Sequence, residues 1–267
     1  MNKTLLSGGC SFTFGHELSD DIKGQTPSKN SWSALLSKIG GLNYKTVAYP
    51  ASGNAGIARR VFEEITSIGF KSTDTIVAIM WSFTSRYDWA MPRNKMLEKT
   101  RWTSITPWDT SERQVEVETS ISVNESHLVT WKQRRDNMQL TGVAPFADAI
   151  YRYAANQYHE TYLSWKSIIW LQNILEKKKI KYFFTLADNV LFYEELKPLK
   201  EIDNLLNGLY NEINFNNWFF FGERNMGFNQ WALLNNYPRG TTHPLDDAHK
   251  DAANLMKDKF LSIIKQK

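Results

Sequence analysis

Apolar and polar positions follow two rhythms along the chain. Short, nearly uninterrupted apolar runs occur at Thr4–Ser7, Tyr44–Ala48, Thr75–Trp81 (TIVAIMW) and Lys181–Leu186 (KYFFTL). Runs of this length predict strands covered on both faces, as in a parallel sheet. Between them the apolar residues recur every three or four positions. Ser31–Ile39 carries Trp32, Leu35, Leu36 and Ile39 on one face. The stretch from Asn54 to Ile68 carries Ile57, Val61, Ile65 and Ile68, with Asn54 as its candidate N-cap. Further helical patterns cover Ala149–Lys178, long enough to be kinked or split, then about 195–210, and Pro244 to the end. Strand–helix alternation of this kind predicts a three-layer α/β/α, flavodoxin-like domain with a parallel central sheet. Residues 85–148 are polar, tryptophan-bearing and without a sustained period. They read as one insertion after the third strand, at the sheet edge where open α/β folds bind ligands, and are expected to cap the site.

Composition narrows the class. A chain of 267 residues, 42% hydrophobic and 22% charged, fits one domain with a full core. The net charge of +4 is modest and scattered, which argues against a nucleic-acid partner. The densest basic run, Lys177-Lys178-Lys179, follows a helical pattern, where cations complement the dipole. The single cysteine, Cys10, excludes an internal disulfide and a C-x-x-C site. Neither a signal-peptide pattern nor a transmembrane run occurs, so the expected location is cytoplasmic and no membrane partner is expected.

Three short segments lie where such a sheet would gather them: Gly9-Cys10-Ser11-Phe12-Thr13-Phe14-Gly15, Ser52-Gly53-Asn54, and Thr242-His243-Pro244. Acyl transfer needs a nucleophile, a base and N–H donors for the oxyanion. Ser11, His243 and the amides of Ser11 and Gly53 are candidates for those parts. More ordinary readings compete with each: a capping hydroxyl for Ser11, a loop residue for His243, a turn glycine at 53, an N-cap at Asn54. Cys10 reads as a small buried residue. His16 and His249 lack metal-ligand spacing. Arg86 is a candidate for an anionic substrate group or for an ion pair with Asp88. Trp81, Trp89, Trp102, Trp108 and Trp131 either pack the insertion or stack on sugar rings. The region 8–15 lacks G-K-[ST] and G-x-G-x-x-G, so a phosphate loop is rejected.

In these segments the sequence resembles the SGNH, or GDSL-type, serine esterases and lipases, whose first block is G-D-S-[LF]-[TS]-x-G. Gly9, Ser11, Phe12, Thr13 and Gly15 match it, Gly53 matches the oxyanion glycine after the second strand, and His243-Pro244 match the late H-P. The resemblance implies an α/β serine hydrolase with Ser11 as nucleophile and His243 as base, and no metal or organic cofactor. It implies an ester of a small acyl group as substrate, with a carbohydrate as a candidate alcohol half. Three positions depart from the pattern: Cys10 stands for Asp, Phe83 for the oxyanion Asn of the third block, and Gly240 for the Asp three residues before the histidine. Ser82 or Asn54 is then the candidate replacement donor, and Asp246, Asp247 or a backbone carbonyl the candidate partner for the imidazole. The alternatives are a binding module that kept the fold without catalysis, and a nucleic-acid- or glycan-binding protein.

Overall fold

The computed structural model describes residues 3–22, 24–91, 102–112, 136, 139–192, 203–223 and 225–265. The central sheet is parallel, with strand order β2-β1-β3-β6, from β1 (Thr4–Gly8), β2 (Asn43–Thr46), β3 (Thr75–Trp81) and β6 (Lys181–Leu186). A parallel bridge from Phe184 to Trp218 extends it beyond β6. The second strand is shorter than its apolar run predicts. Val47 and Tyr49 still donate to the carbonyls of Ser7 and Gly9, so the chain continues along β1 before turning away.

The uninterrupted apolar runs are explained by what lies on either side of the sheet. In β3, Val77, Ile79 and Trp81 point to one face, while Ile76, Ala78 and Met80 point to the other. The first face is covered by α3 (Asn54–Ile65) and α5 (Gln157–Lys177), through Ile57, Val61, Ile65, Trp165, Ile168 and Leu171. The second is covered by α2 (Trp32–Ile39), α7 (Phe228–Leu234) and α8 (Asp246–Lys265), through Trp32, Leu36, Phe228, Ala252 and Phe260. Two buried aliphatic and aromatic layers thus clamp the sheet, giving the three-layer α/β/α architecture and the main apolar contribution to stability.

The helical stretch predicted over 149–178 is two helices, α4 (Val143–Tyr153) and α5. Ala154 ends α4, and Asn156 Oδ1 accepts the His159 N–H at the start of α5. The pattern at 195–210 corresponds to α6 (Asn204–Glu212), whose Asp203 carboxylate accepts the N–H groups of Leu205 and Leu206; positions 195–202 lie outside the described residues. Asn54 is not the N-cap of α3. Gly53 holds that position in extended conformation, and Asn54 is the first helical residue.

Ser85–Glu160 form a compact unit of their own. An antiparallel pair, β4 (Tyr87–Ala90) and β5 (Trp102–Ile105), packs with α4 around Ile105, Val143, Ala144 and Ala147. Alternation puts Tyr87 and Trp89 on one side of β4, edge-on to Tyr151 and Phe146. Trp81 is fully buried in the sheet core, whereas Trp89, Trp102 and Trp108 remain 43–49% exposed, so packing accounts for only part of the tryptophan set. Trp131 lies outside the described residues.

Candidate active site

Strand β1 runs into a tight turn and then a single helical turn, α1 (Ser11–Phe14). Only glycine fits at position 9, because a Cβ there would sit 2.0 Å from Thr13 Oγ1 and 3.2 Å from the Met80 carbonyl oxygen. Gly15 ends the turn in the left-handed region at φ 80°, and a Cβ there would meet Ser28 Cβ at 2.5 Å. Between these two glycines Phe12 turns into the core beside Phe83 and Phe228. Ser11 is held at the carboxyl edge of β1, between its oppositely placed neighbours β2 and β3. This is the switch point of the sheet, the location where open α/β folds bind ligands.

His243 reaches the same edge from the segment before α8. Its Nε2 lies 2.8 Å from Ser11 Oγ, across 232 positions of sequence. Its Nδ1 lies 2.8 Å from Oε2 of Glu17. Ser11 and His243 are 6% and 8% exposed. The imidazole is flanked edge-on by the rings of Phe12 and His16, at centroid distances of 4.9 and 5.5 Å.

Glu17 is the part that sequence reading missed. Asp246 and Asp247, the acids considered for the imidazole, have other places. Asp246 accepts from Ser19 and Asn30 at the start of α8, and Asp247 lies in the first turn of that helix. Glu17 is set in a left-handed conformation, φ 71°, that non-glycine residues seldom adopt, with its N–H fixed by Asp21 Oδ2 at 2.9 Å. The chain from 241 to 243 wraps its carboxylate. Thr241 N–H donates to Oε1 at 2.9 Å, and the N–H groups of Thr242 and His243 donate to Oε2 at 3.1 and 2.9 Å. Thr242 Oγ1 also lies 2.8 Å from Nδ1. Burial by itself would raise the Glu17 carboxyl; the Thr242 amide, the imidazole and the His243 amide outweigh it and hold the group at about 2. It is therefore ionised at any pH where an imidazole can act as a base.

Gly240 explains why the acid is not in the late loop. A Cβ at 240 would lie 2.9 Å from Cδ of Glu17, so the carboxylate occupies the space that a side chain there would fill. The signal for this in the sequence was negative: a glycine three residues before His243, where the last block of the resembled pattern has an acid. Arg239 steadies the loop, its Nη2 donating to the Thr242 carbonyl and to Asn229 Oδ1.

No protein-family profile and no curated protein sequence matches the chain. Among solved structures it is similar to a member of the lipolytic protein G-D-S-L family from Veillonella parvula, at 11% identity and a TM-score of 0.43 over 99% of both chains. It is similar to the psychrotrophic esterase EstA from Pseudoalteromonas sp., at 10% identity and 0.44 over 99% of this chain and 97% of that one. A carbohydrate esterase family 2 enzyme from Corynascus thermopiles (Myceliophthora fergusii) gives 9% identity and 0.48, over 99% and 67%.

The remaining predicted residues divide. Among the described residues, the N–H groups of Ser11 and Gly53 donate to no protein acceptor. Asn54, 1% exposed, is committed elsewhere. Its Oδ1 accepts the Ser82 N–H at 2.7 Å, while Nδ2 donates to the Ser82 carbonyl and to Ser164 Oγ, both at 3.1 Å. It is a strut joining the start of α3 to Ser82, just past β3, and to Ser164 within α5, and its amide has no hydrogen left for a substrate. Ser82 is fully buried, with both backbone groups taken by that strut. Arg86 belongs to the Ser85–Glu160 unit. His249 is fully buried in the core, where its Nδ1 accepts the Trp32 N–H at 3.1 Å. Burial holds it neutral, at about 3. His16, which sequence spacing left without partners, comes beside Glu17 and His243, one ligand atom from each lying within 4.8 Å of the other two. Among the described residues no helix is long and apolar enough to cross a membrane.

Proposed function

We propose that the chain is a serine hydrolase that cleaves esters of small acyl groups, with Ser11 as nucleophile, His243 as general base and Glu17 as the residue that orients and charges the base. The observation that carries this reading is the continuous line Ser11 Oγ, His243 Nε2 and Nδ1, Glu17 Oε2, with both links at 2.8 Å. With its Nδ1–H held by an ionised carboxylate, the imidazole keeps the Nε2 lone pair facing the hydroxyl. Ser11 Oγ attacks the carbonyl carbon while Nε2 takes its proton, and the amides of Ser11 and Gly53 receive the oxyanion. Collapse expels the alcohol, which takes the proton back from Nε2. Water, deprotonated by the same nitrogen, then attacks the acyl-serine, and Nε2 returns the proton to Ser11 Oγ as the acyl–oxygen bond breaks and the acid leaves.

For the alcohol half the narrower reading is a carbohydrate. Exposed Trp89, Trp102 and Trp108 give the Ser85–Glu160 unit indole faces of the kind that stack on sugar rings. An acylated oligosaccharide turned over faster than the p-nitrophenyl ester of the same acid is the expected outcome. A non-catalytic binding module remains the second reading, and Phe83 in place of a third oxyanion donor favours it. The two separate on one experiment. A fluorophosphonate probe is expected to add its mass to the chain, and Ser11→Ala to abolish both the adduct and p-nitrophenyl acetate hydrolysis. An unlabelled wild-type chain overturns the hydrolase reading.

A further inference from the structure

His16 takes no part in the reaction above, yet its ring stands beside the orienting pair. One ligand atom each from His16, Glu17 and His243 lie within 4.8 Å of one another. The three differ usefully in access: the His16 side chain is 36% exposed, against 18% for Glu17 and 10% for His243. Oε1 of Glu17 accepts one hydrogen bond, from Thr241 N–H, and so retains a lone pair. Two imidazoles and one carboxylate are a ligand set for borderline-soft divalent ions such as zinc, with a fourth position left to water. Metal–ligand bonds of about 2.1 Å put tetrahedral ligands about 3.4 Å apart. The atoms therefore need to close by up to about 1.4 Å, a movement open to His16 as the most exposed of the three.

We propose that a divalent cation of the zinc class binds across His16, Glu17 and Nδ1 of His243, and that its binding silences the site. The inference rests on the reading of Ser11 and His243 as nucleophile and base. Its chemistry is a change of tautomer. A metal on Nδ1 takes the lone pair that remains once the Nδ1 proton is gone. A neutral imidazole metallated on Nδ1 carries its one proton on Nε2, so the proton moves between the two nitrogens and none is released overall. Nε2–H then donates to Ser11 Oγ and has no lone pair to accept the hydroxyl proton. Glu17, turned toward the cation, no longer orients the base. Magnesium, which prefers an octahedral set of oxygens, is excluded by the two nitrogens.

The test uses the full chain after EDTA treatment, with Zn2+ and Mg2+ as probes. Calorimetry is expected to show one Zn2+ bound in the micromolar range. Hydrolysis of p-nitrophenyl acetate is expected to fall in step with occupancy and to recover on adding EDTA, while Mg2+ does neither. His16→Ala is expected to weaken Zn2+ binding at least about tenfold and to shift the inhibition curve by the same factor. His16→Cys, which restores a zinc ligand, is expected to recover part of that loss. A metal-free enzyme that hydrolyses the ester but is unaffected by micromolar Zn2+, or whose inhibition is unchanged by His16→Ala, overturns the proposal and leaves the hydrolase standing. A chain that hydrolyses nothing without metal yet binds Zn2+ through His16 supports the site and overturns the switching.

Discussion

Replacing Glu17 by Gln isolates what the carboxylate's charge contributes. Gln keeps the length of the side chain and one oxygen. That oxygen is expected at the Oε2 position, where the N–H groups of Thr242 and His243 and the imidazole Nδ1 all converge. The amide nitrogen then faces Thr241 N–H and loses that bond. Orientation of the ring is largely preserved; the negative charge is not. In the proposed mechanism the imidazole becomes a cation close to this carboxylate during the chemical step. Opposite unit charges about 4 Å apart are worth about 4 kcal/mol at an effective dielectric of 20, or about three orders of magnitude in rate. Glu17→Gln is therefore expected to lower kcat on p-nitrophenyl acetate about 10³-fold with little change in KM. Glu17→Ala, which also frees the tautomer, is expected to approach about 10⁴-fold. Circular dichroism and a thermal melt check that each variant folds. The ionised state is preferred by at most about 3 kcal/mol from the drop to about 2, and by about 1–2 kcal/mol once solvent screening is allowed for. That contribution is complete above pH 4.5 and lost as the pH falls toward 2. A folded Glu17→Gln variant within tenfold of wild-type kcat refutes the reasoning.

Three more outcomes follow from the same geometry. Because the Glu17 carboxylate fills the space beside Gly240, adding Gly240→Asp to Glu17→Ala is expected to recover at least about tenfold in kcat, whereas Gly240→Asp alone lowers it by collision and like charge; no recovery in the double variant counts against a shared seat. Asn54→Ala removes three buried hydrogen bonds, to the Ser82 N–H, the Ser82 carbonyl and Ser164 Oγ, and is expected to cost about 2–4 kcal/mol in urea unfolding. His249 protonates at 6.5 when unfolded and near 3 when folded, so its stabilisation is full above pH 6.5 and drains as the pH falls toward 3. The melting temperature is expected to drop between pH 6.5 and 4.5, and less steeply in His249→Gln, whose carbonyl still accepts the Trp32 N–H.

Legibility from sequence tracked how local each determinant was. β3 and β6 were readable to the residue because burial on both faces leaves no room for polar interruption. β2 was not, since its apolar run passes beyond the last ladder pair. Ser11 and His243 were legible through short blocks shaped by steric need, as at Gly9 and Gly15. Glu17 was not, because its identity as partner depends on a loop 226 positions away closing over it, and no spacing rule encodes that contact. Asn54 was misjudged for a related reason. Its side chain answers to the end of β3 and to the interior of α5 rather than to its own helix terminus.

Hydroxyl and carboxylate share one stretch of six bonds between residues, pinned by a glycine on each side of α1 and by Asp21. Only the imidazole is delivered from elsewhere, on the strand of chain that leads into the last helix. Peeling that helix from the sheet removes the base and, with it, the three N–H groups that hold the Glu17 carboxylate. On the proposed function, loss of turnover is then expected to precede global melting.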